Sequence, residues 1–229
     1  CVATSFTNAH GLWGMDYGHY SCAYDMYLIG KACYETPGFM EVASSESYEM
    51  PFTNKHPNPE YASRPDCAYV IYSTNYLQRT SSKIYRSDVR GIKTGSTDDA
   101  GYCLVSSAMK GSLHFVSVIL GAERVEVDGV GDIQSFSHTS RMFNYGFENF
   151  TYKTIIDEME AIQEVPVELS EIDHVTVYPA ETKEVLIPKV LDGEDLDRTI
   201  ILQEPVEAPV VKGQKLGTLE LSYNGVIYA

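Results

Sequence analysis

At 229 residues, 44% hydrophobic and 21% charged, with 17 glycines and 10 prolines dispersed, the chain has the composition of one large or two small folded domains. That excludes collagen, low-complexity linker and wholesale disorder, and no apolar run approaches the roughly 18–20 residues needed to cross a bilayer. Thirty-two acids against 17 bases give a formal charge of −15, which repels a phosphate backbone or an anionic membrane surface, so nucleic acid is not expected as a partner.

The acidic excess is uneven. Residues 1–150 carry 16 acids and 11 bases (net −5), and residues 151–229 carry 16 acids and 6 bases (net −10), which suggests two regions with a boundary near 150. Five cysteines (Cys1, Cys22, Cys33, Cys67, Cys103) are an odd number without C-x-x-C or zinc spacing, so free thiols are expected and no metal or cofactor is implied. The chain begins at Cys1 without an initiator Met or an apolar leader, so any targeting signal is expected upstream, in a longer precursor.

In residues 21–34, Cys22, Met26, Ile29 and Cys33 recur at helical offsets and predict an amphipathic helix capped by Ser21. Pro37-Gly38 ends it, and Thr36-Pro37 predicts the cap and first position of a short second helix. Residues 54–65, with three prolines, read as a surface loop. Residues 90–94 predict a strand. It is followed by an antiparallel hairpin, with Leu104, Ser106 and Ala108 on one run, Phe115, Ser117 and Ile119 on the other, and Lys110-Gly111-Ser112 between. Residues 132–149 then predict a helix through Ile133, Phe136, Phe143 and Phe147, capped by Asp132.

Beyond Phe150 the texture changes to short β-branched runs at 154–156, 165–169, 175–178, 185–187, 199–202, 216–221 and 226–228, with an Asn224-Gly225 turn. These predict a small all-β domain over 151–229 whose interleaved acids form a solvated face.

One segment carries chemistry. Lys93-Thr94-Gly95, then Ser96-Thr97 and Ala100-Gly101-Tyr102, ends a predicted strand ahead of the hairpin. A lysine there supplies positive charge, the Thr94 hydroxyl suits a carboxylate, and Gly95 admits a substrate close to the strand backbone. The N–H of Ser96 can face a developing oxyanion.

Taken together, Asn8-Ala9-His10-Gly11-Leu12, Ser21-Cys22-Ala23-Tyr24-Asp25-Met26, Gly91-Ile92-Lys93-Thr94-Gly95-Ser96-Thr97 with Ala100-Gly101-Tyr102, Gly121-Ala122 and Asn144-Tyr145-Gly146-Phe147 form an ordered set. The set resembles the serine-type D-alanyl-D-alanine carboxypeptidases, low-molecular-weight penicillin-binding proteins of peptidase family S11. Ala208-Pro209, Lys212-Gly213 and Gly217 resemble that family's C-terminal β domain.

The resemblance implies a partial α/β domain of the penicillin-recognising transpeptidase/β-lactamase-like class over 1–150, followed by a small all-β sandwich-like domain over 151–229. It implies removal of the terminal D-alanine from peptidoglycan stem peptides through an acyl-enzyme, with β-lactams as slow analogues, in an exported, cell-wall-facing protein anchored, if at all, by segments absent here. Lys93 and Ser96 are then catalytic, and Thr94, Gly95 and Thr97 bind substrate. Of the family's three elements (S-x-x-K, S-x-N and K-T-G) only the third is evident, and the family's order places the other two before Cys1. The chain alone is therefore expected to be inactive, and to need its N-terminal segment or a companion chain.

Ser107-Ala108-Met109-Lys110 fits S-x-x-K, but strand alternation puts Ser107 and Lys110 on opposite faces. Thr80-Ser81-Ser82-Lys83 fits the threonine version of that motif. Ser73-Thr74-Asn75 fits S-x-N but better matches a family Asn-x-Leu segment through Asn75 and Leu77. His10, Asp16 and His19 lack a recognised metal spacing. Trp13 and the tyrosines could line a carbohydrate surface, though core or rim positions are the simpler reading. Family members often carry an arginine after the Gly-Ala turn that binds the substrate carboxylate; Arg124 lies near that turn without clearly matching it. A non-catalytic cell-wall module and a β-lactamase are the rival functions, the appended β domain counting against the latter.

Overall fold

A computed structural model of the chain describes residues 1–11, 18–51, 69–203 and 205–229, the side chain of residue 69 excepted. The expected loop at 54–65, Trp13 and Asp16 lie outside the described residues. Two compact units are present, Cys1–Gly146 and Phe147–Ala229.

The first unit opens with residues 1–11 and 18–22, which lead into helix α1 (Ala23–Glu35). Its N-cap is Cys22, whose sulfur accepts from the Asp25 N–H; the expected cap, Ser21, instead bonds the Thr4 hydroxyl at 2.9 Å. Asp25 is fully buried and gathers the segment before it, accepting from the N–H groups of Val2 (3.1 Å) and Ala3 (2.8 Å) and from the Thr4 hydroxyl (2.6 Å). The Thr4 bond first, and the Ala3 bond next, hold its carboxyl below the ordinary carboxylate range. Helix α2 (Phe39–Ala43) is capped by Gly38 in the left-handed region rather than by Thr36. The Thr36 hydroxyl is spent on the other side of the turn, on the Ala32 carbonyl at the end of α1.

Strands β1 (Ser47–Met50) and β2 (Tyr69–Tyr72) form an antiparallel pair, and a 3₁₀ turn follows over Tyr76–Gln78. The central sheet runs β3 (Val89–Thr97), β4 (Gly101–Lys110) and β5 (Leu113–Ala122), all antiparallel, in that spatial order. The strand read over 90–94 thus extends to both sides, and the expected hairpin turns at Gly111 with φ +62.

A hairpin of β6 (Arg124–Val127) and β7 (Val130–Ile133) precedes helix α3 (Gln134–Asn149). Asp132 is therefore not a helix cap: it pairs with Val125 in that hairpin. Gly30 of α1 lets the helix meet Val105 and Val116, and Gly146 of α3 lets that helix meet the ring of Phe115. Neighbouring residues 115 and 116 point to opposite faces of β5, so α1 and α3 cover the sheet from opposite sides.

The second unit is β-rich, with strands β8 (Phe150–Ile156), β9 (Gln163–Glu168), β10 (His174–Val177), β11 (Lys183–Pro188), β12 (Asp197–Leu202), β13 (Val206–Glu207), β14 (Gly217–Tyr223) and β15 (Val226–Ile227). β8 pairs with β11, β9 lies between β10 and β13, and β14 lies between β12 and β15. One apolar core gathers Ile155, Ile156, Ile187, Leu191, Leu196 and Leu221, and a second gathers Val165, Val206 and Leu216. The run read to 169 stops at 168, because Leu169 takes φ +59 and turns into solvent. Asn224 and Gly225 both have positive φ, the twist a two-residue hairpin turn requires.

Candidate active site

Lys93-Thr94-Gly95 lies in the middle of β3, paired in register with Val105, Leu104 and Cys103 of β4. Among the described residues β3 has β4 on one side only, so its other edge is open to an extended ligand. Lys93, Gly95 and Ser96 are exposed, and Thr94 and Thr97 are half-buried. The Lys93 ammonium donates to the carbonyl of Thr94, and among the described residues it forms no ion pair. Gly95 is not in the left-handed region, and a Cβ built on it would meet no other residue within 4 Å. The Thr97 hydroxyl accepts from the Ala100 N–H at 3.1 Å and starts the turn into β4. Gly101 at the far side has φ +62, with the Ala122 carbonyl oxygen 2.8 Å from where its Cβ would be.

What holds this strand in place is a buried polar cluster at Gly91, where the β3–β4 register shifts. The Gly91 carbonyl accepts from Asn75 Nδ2 at 2.8 Å and from the Ser106 hydroxyl at 2.7 Å, and its N–H donates to Gln78 Oε1 at 2.8 Å. Gln78 Nε2 donates to the carbonyls of Ala43 (3.1 Å) and Ser45 (3.3 Å) and to Ser73 Oγ (2.7 Å). Asn75 Oδ1 caps the 3₁₀ turn through the Leu77 N–H. Every hydrogen bond here is made between groups that would be costly to bury unpaired, so the 73–78 segment and β3 behave as one piece. The result beside the motif is direct: the hydroxyl oxygens of Thr74 and Thr94 lie 2.5 Å apart.

The remaining sequence candidates are placed away from such chemistry. Ser107 is fully buried and donates to the Arg90 carbonyl at 2.7 Å, while Lys110 is exposed. The Thr80 hydroxyl is bonded to the Glu46 carboxylate, and Ser82 Oγ accepts from the Ile84 N–H. Ser73 and Asn75, the outer members of the S-x-N match, are both engaged in the Gly91 cluster. His19 packs against Phe6 in a tilted arrangement with ring centroids 5.4 Å apart, and its Nδ1 accepts from the Thr7 N–H. Arg124 lies across β7, its Nη2 2.9 Å from the position a Cβ on Gly131 would take.

In the sequence Thr74 stands only as the middle of an S-x-N match. The signal available was its position before Asn75-x-Leu77, a segment that docks on β3 across a separation of 20 residues from Thr94.

Residues 2–124 match the D-alanyl-D-alanine carboxypeptidase family, and residues 150–229 match the C-terminal domain of penicillin-binding protein 5. The chain is 27% identical over 227 residues to D-alanyl-D-alanine carboxypeptidase DacF of Bacillus subtilis (strain 168), covering 99% of this chain and 52% of that protein. It is 30% identical over 224 residues to D-alanyl-D-alanine carboxypeptidase DacC of Escherichia coli (strain K12), covering 97% and 48%. The structure of penicillin-binding protein 5 from Haemophilus influenzae superimposes with a TM-score of 0.61 at 25% identity, over 99% of this chain and 58% of that one. The chain spans about half the length of the curated relatives it matches. The match over residues 2–124, which include the K-T-G strand and most of the ordered motifs around it, and the match of the β-rich unit after it place this chain in the D-alanyl-D-alanine carboxypeptidase family.

Proposed function

We propose that this chain supplies the K-T-G strand of a serine-type D-alanyl-D-alanine carboxypeptidase that trims the terminal D-alanine from peptidoglycan stem peptides and is acylated by β-lactams. The observation that carries the reading is the Lys93-Thr94-Gly95 strand: among the described residues its lysine is free of carboxylate partners and one edge has no strand neighbour, and its backbone is locked by the Gly91 cluster. In this reading a serine oxygen adds to the carbonyl of the D-alanyl-D-alanine bond, D-alanine leaves with a proton, and water then cleaves the ester.

Each residue has a role in that sequence. Thr94 donates to the substrate's terminal carboxylate, and Lys93 adds positive charge near it and near the proton being moved. The Ser96 N–H stabilises the oxyanion. Gly95 keeps the strand accessible, and Thr97 fixes the turn beyond it. Residues 1–150 belong to the catalytic domain and 151–229 form its β-rich companion, in a protein that works outside the cytoplasm at the cell wall.

The attacking serine and its base lie outside these 229 residues. Support comes from Ser107, whose burial and bond to Arg90 leave it no access to substrate, and from the chain's half coverage of its relatives. The catalytic domain is then completed by further sequence of the same protein or by a companion chain. Fluorescent penicillin followed by mass spectrometry tests this: the complete protein should be labelled on a serine outside this chain, and the 229-residue chain alone should carry no adduct. Labelling of any serine within the chain overturns the assignment, and a complete protein that is never labelled overturns the carboxypeptidase reading. Light scattering showing the chain as a compact, companion-free monomer of 25.5 kDa would count against the need for a partner.

A further inference from the structure

Thr74 and Thr94 belong to different elements, and their hydroxyl oxygens meet at 2.5 Å, at the short end for an O–H···O bond. A pair of hydroxyls shares one hydrogen along that line and keeps one hydrogen to offer elsewhere. Neither backbone can drift out of the contact. Thr74 is followed by Asn75, 3% exposed and bonded to Gly91 and Leu77, and Gly91 lies on the same strand as Thr94.

A carboxylate can only accept hydrogen bonds. If Thr94 binds one, its own hydrogen must point outward, and the hydrogen between the two threonines must then come from Thr74. The opposite arrangement, Thr94 donating to Thr74, presents the incoming carboxylate with a lone pair and repels it. The order of the chain is thus fixed by the charge of the ligand: Thr74 donates to Thr94, and Thr94 donates to the carboxylate. Each donation polarises the next, so the outer bond is strengthened by the inner one.

We infer that Thr74 is a positioning residue for carboxylate recognition, acting through Thr94 to select peptides with a free C-terminal carboxylate. The inference rests on the proposed carboxypeptidase reading and adds to it a residue outside the K-T-G motif. Thr74 is exposed, and its hydroxyl bond to Thr94 spends nothing that the fold needs elsewhere.

The test uses the complete protein, cleaving the D-alanyl-D-alanine bond of a peptide that ends in D-alanyl-D-alanine, with release of D-alanine, and of the same peptide with a C-terminal amide, with release of D-alaninamide. An amide can donate to Thr94 and makes no demand on the direction of the Thr74 bond. Thr74→Val should raise KM for the carboxylate peptide by about 3- to 10-fold, the size of one neutral hydrogen bond, with kcat within about 2-fold. Thr74→Ser should restore the wild-type KM, and the amide peptide should not distinguish the variants. Thr94→Val should lose more, and adding Thr74→Val to it should cost nothing further.

An unchanged KM in Thr74→Val, a Thr74→Ser variant as impaired as Thr74→Val, or multiplicative losses in the double variant would each overturn the inference. Wild-type protein that neither cleaves the peptide nor is labelled by fluorescent penicillin would instead sink the carboxypeptidase reading, and the Thr74 role with it.

Discussion

The side-chain amide of Asn75 donates to the carbonyl of Gly91 at 2.8 Å, and Gly91 lies two residues before the Lys93 that begins the motif. This single bond joins a loop segment to the strand whose geometry the proposed chemistry depends on. Asn75→Ala should remove it together with the cap on the Leu77 N–H, leaving that N–H unpaired at a cost of about 1–3 kcal/mol, while the Gly91 carbonyl keeps its bond from Ser106. Urea denaturation should show the loss in midpoint. Hydrogen exchange should show faster opening over β3 than over β14 of the second unit.

Gly91 itself is expected to tolerate nothing else. It has φ +50, and an added Cβ would lie 3.3 Å from both Ala43 Cβ and Met40 Cε and 3.4 Å from the Ala43 carbonyl oxygen. Gly91→Ala combines a conformation that side chains avoid with contact against the backbone of α2, and should destabilise by about 1–3 kcal/mol. Gly38→Ala, left-handed too but with nothing within 4 Å, isolates the conformational part, so the difference in denaturation midpoint between the two variants measures the packing part.

Acidification should weaken the first unit through His114. Its ring lies 4.1 Å from that of Tyr34, its Nε2 is buried with no hydrogen-bond partner among the described residues, and burial pushes its pKa below the ordinary histidine value. A lowered folded pKa means that the unfolded chain takes up the proton first. The stability this group contributes is therefore complete above the ordinary value of 6.5 and is lost as pH falls from there through the lowered folded value. Denaturation midpoints measured from pH 8 to pH 5 should fall for the wild type and fall less for His114→Phe. Equal slopes would exclude His114 as the source.

Asp25 should act in a lower window. Its carboxyl is held below the ordinary range, chiefly by the Thr4 hydroxyl, so its contribution is present above the ordinary carboxylate value of 3.8 and is lost as pH falls below it. Asp25→Asn should free residues 2–4 from α1, seen as increased protease sensitivity of that segment at neutral pH.

Acylation rates should separate side-chain from backbone roles on β3. Lys93→Ala in the complete protein removes the charge that the proposed mechanism sets near the substrate carboxylate and the moving proton, and should slow acylation on the order of 10²-fold or more, in line with the loss of an oxyanion donor. Ser96→Ala keeps the N–H and should be mild. The reverse pattern would show that the motif has been assigned the wrong roles.

The helices, the central hairpin and the β-rich second half were legible because their signals are local: helical spacing of Cys22, Met26, Ile29 and Cys33, a Lys-Gly-Ser turn, and β-branched runs of three to six residues. Caps were less so. Ser21, Thr36 and Asp132 each have the right chemistry one or a few residues from the observed helix start, and each was claimed by a tertiary or neighbouring partner that no local pattern reveals. At the site, the family motif showed Lys93 and Thr94. The hydrogen bonds that fix them come from Asn75, Gln78 and Ser106, at separations of 13–16 residues from Gly91, and depend on a register shift that spacing alone does not encode.

Gly95 stands apart from Gly91 in a way that bears on how this strand can change over generations. Its backbone is ordinary and its missing side chain would strike no other described residue, so folding sets no veto on alanine there. Gly95→Ala should fold as well as the parent, since alanine loses less backbone entropy than glycine. A pressure for glycine at 95 is then expected from ligands of β3 rather than from folding, and a library varied at residues 91 and 95 would separate the two: selection for folding alone should purge substitutions at 91 and let them accumulate at 95.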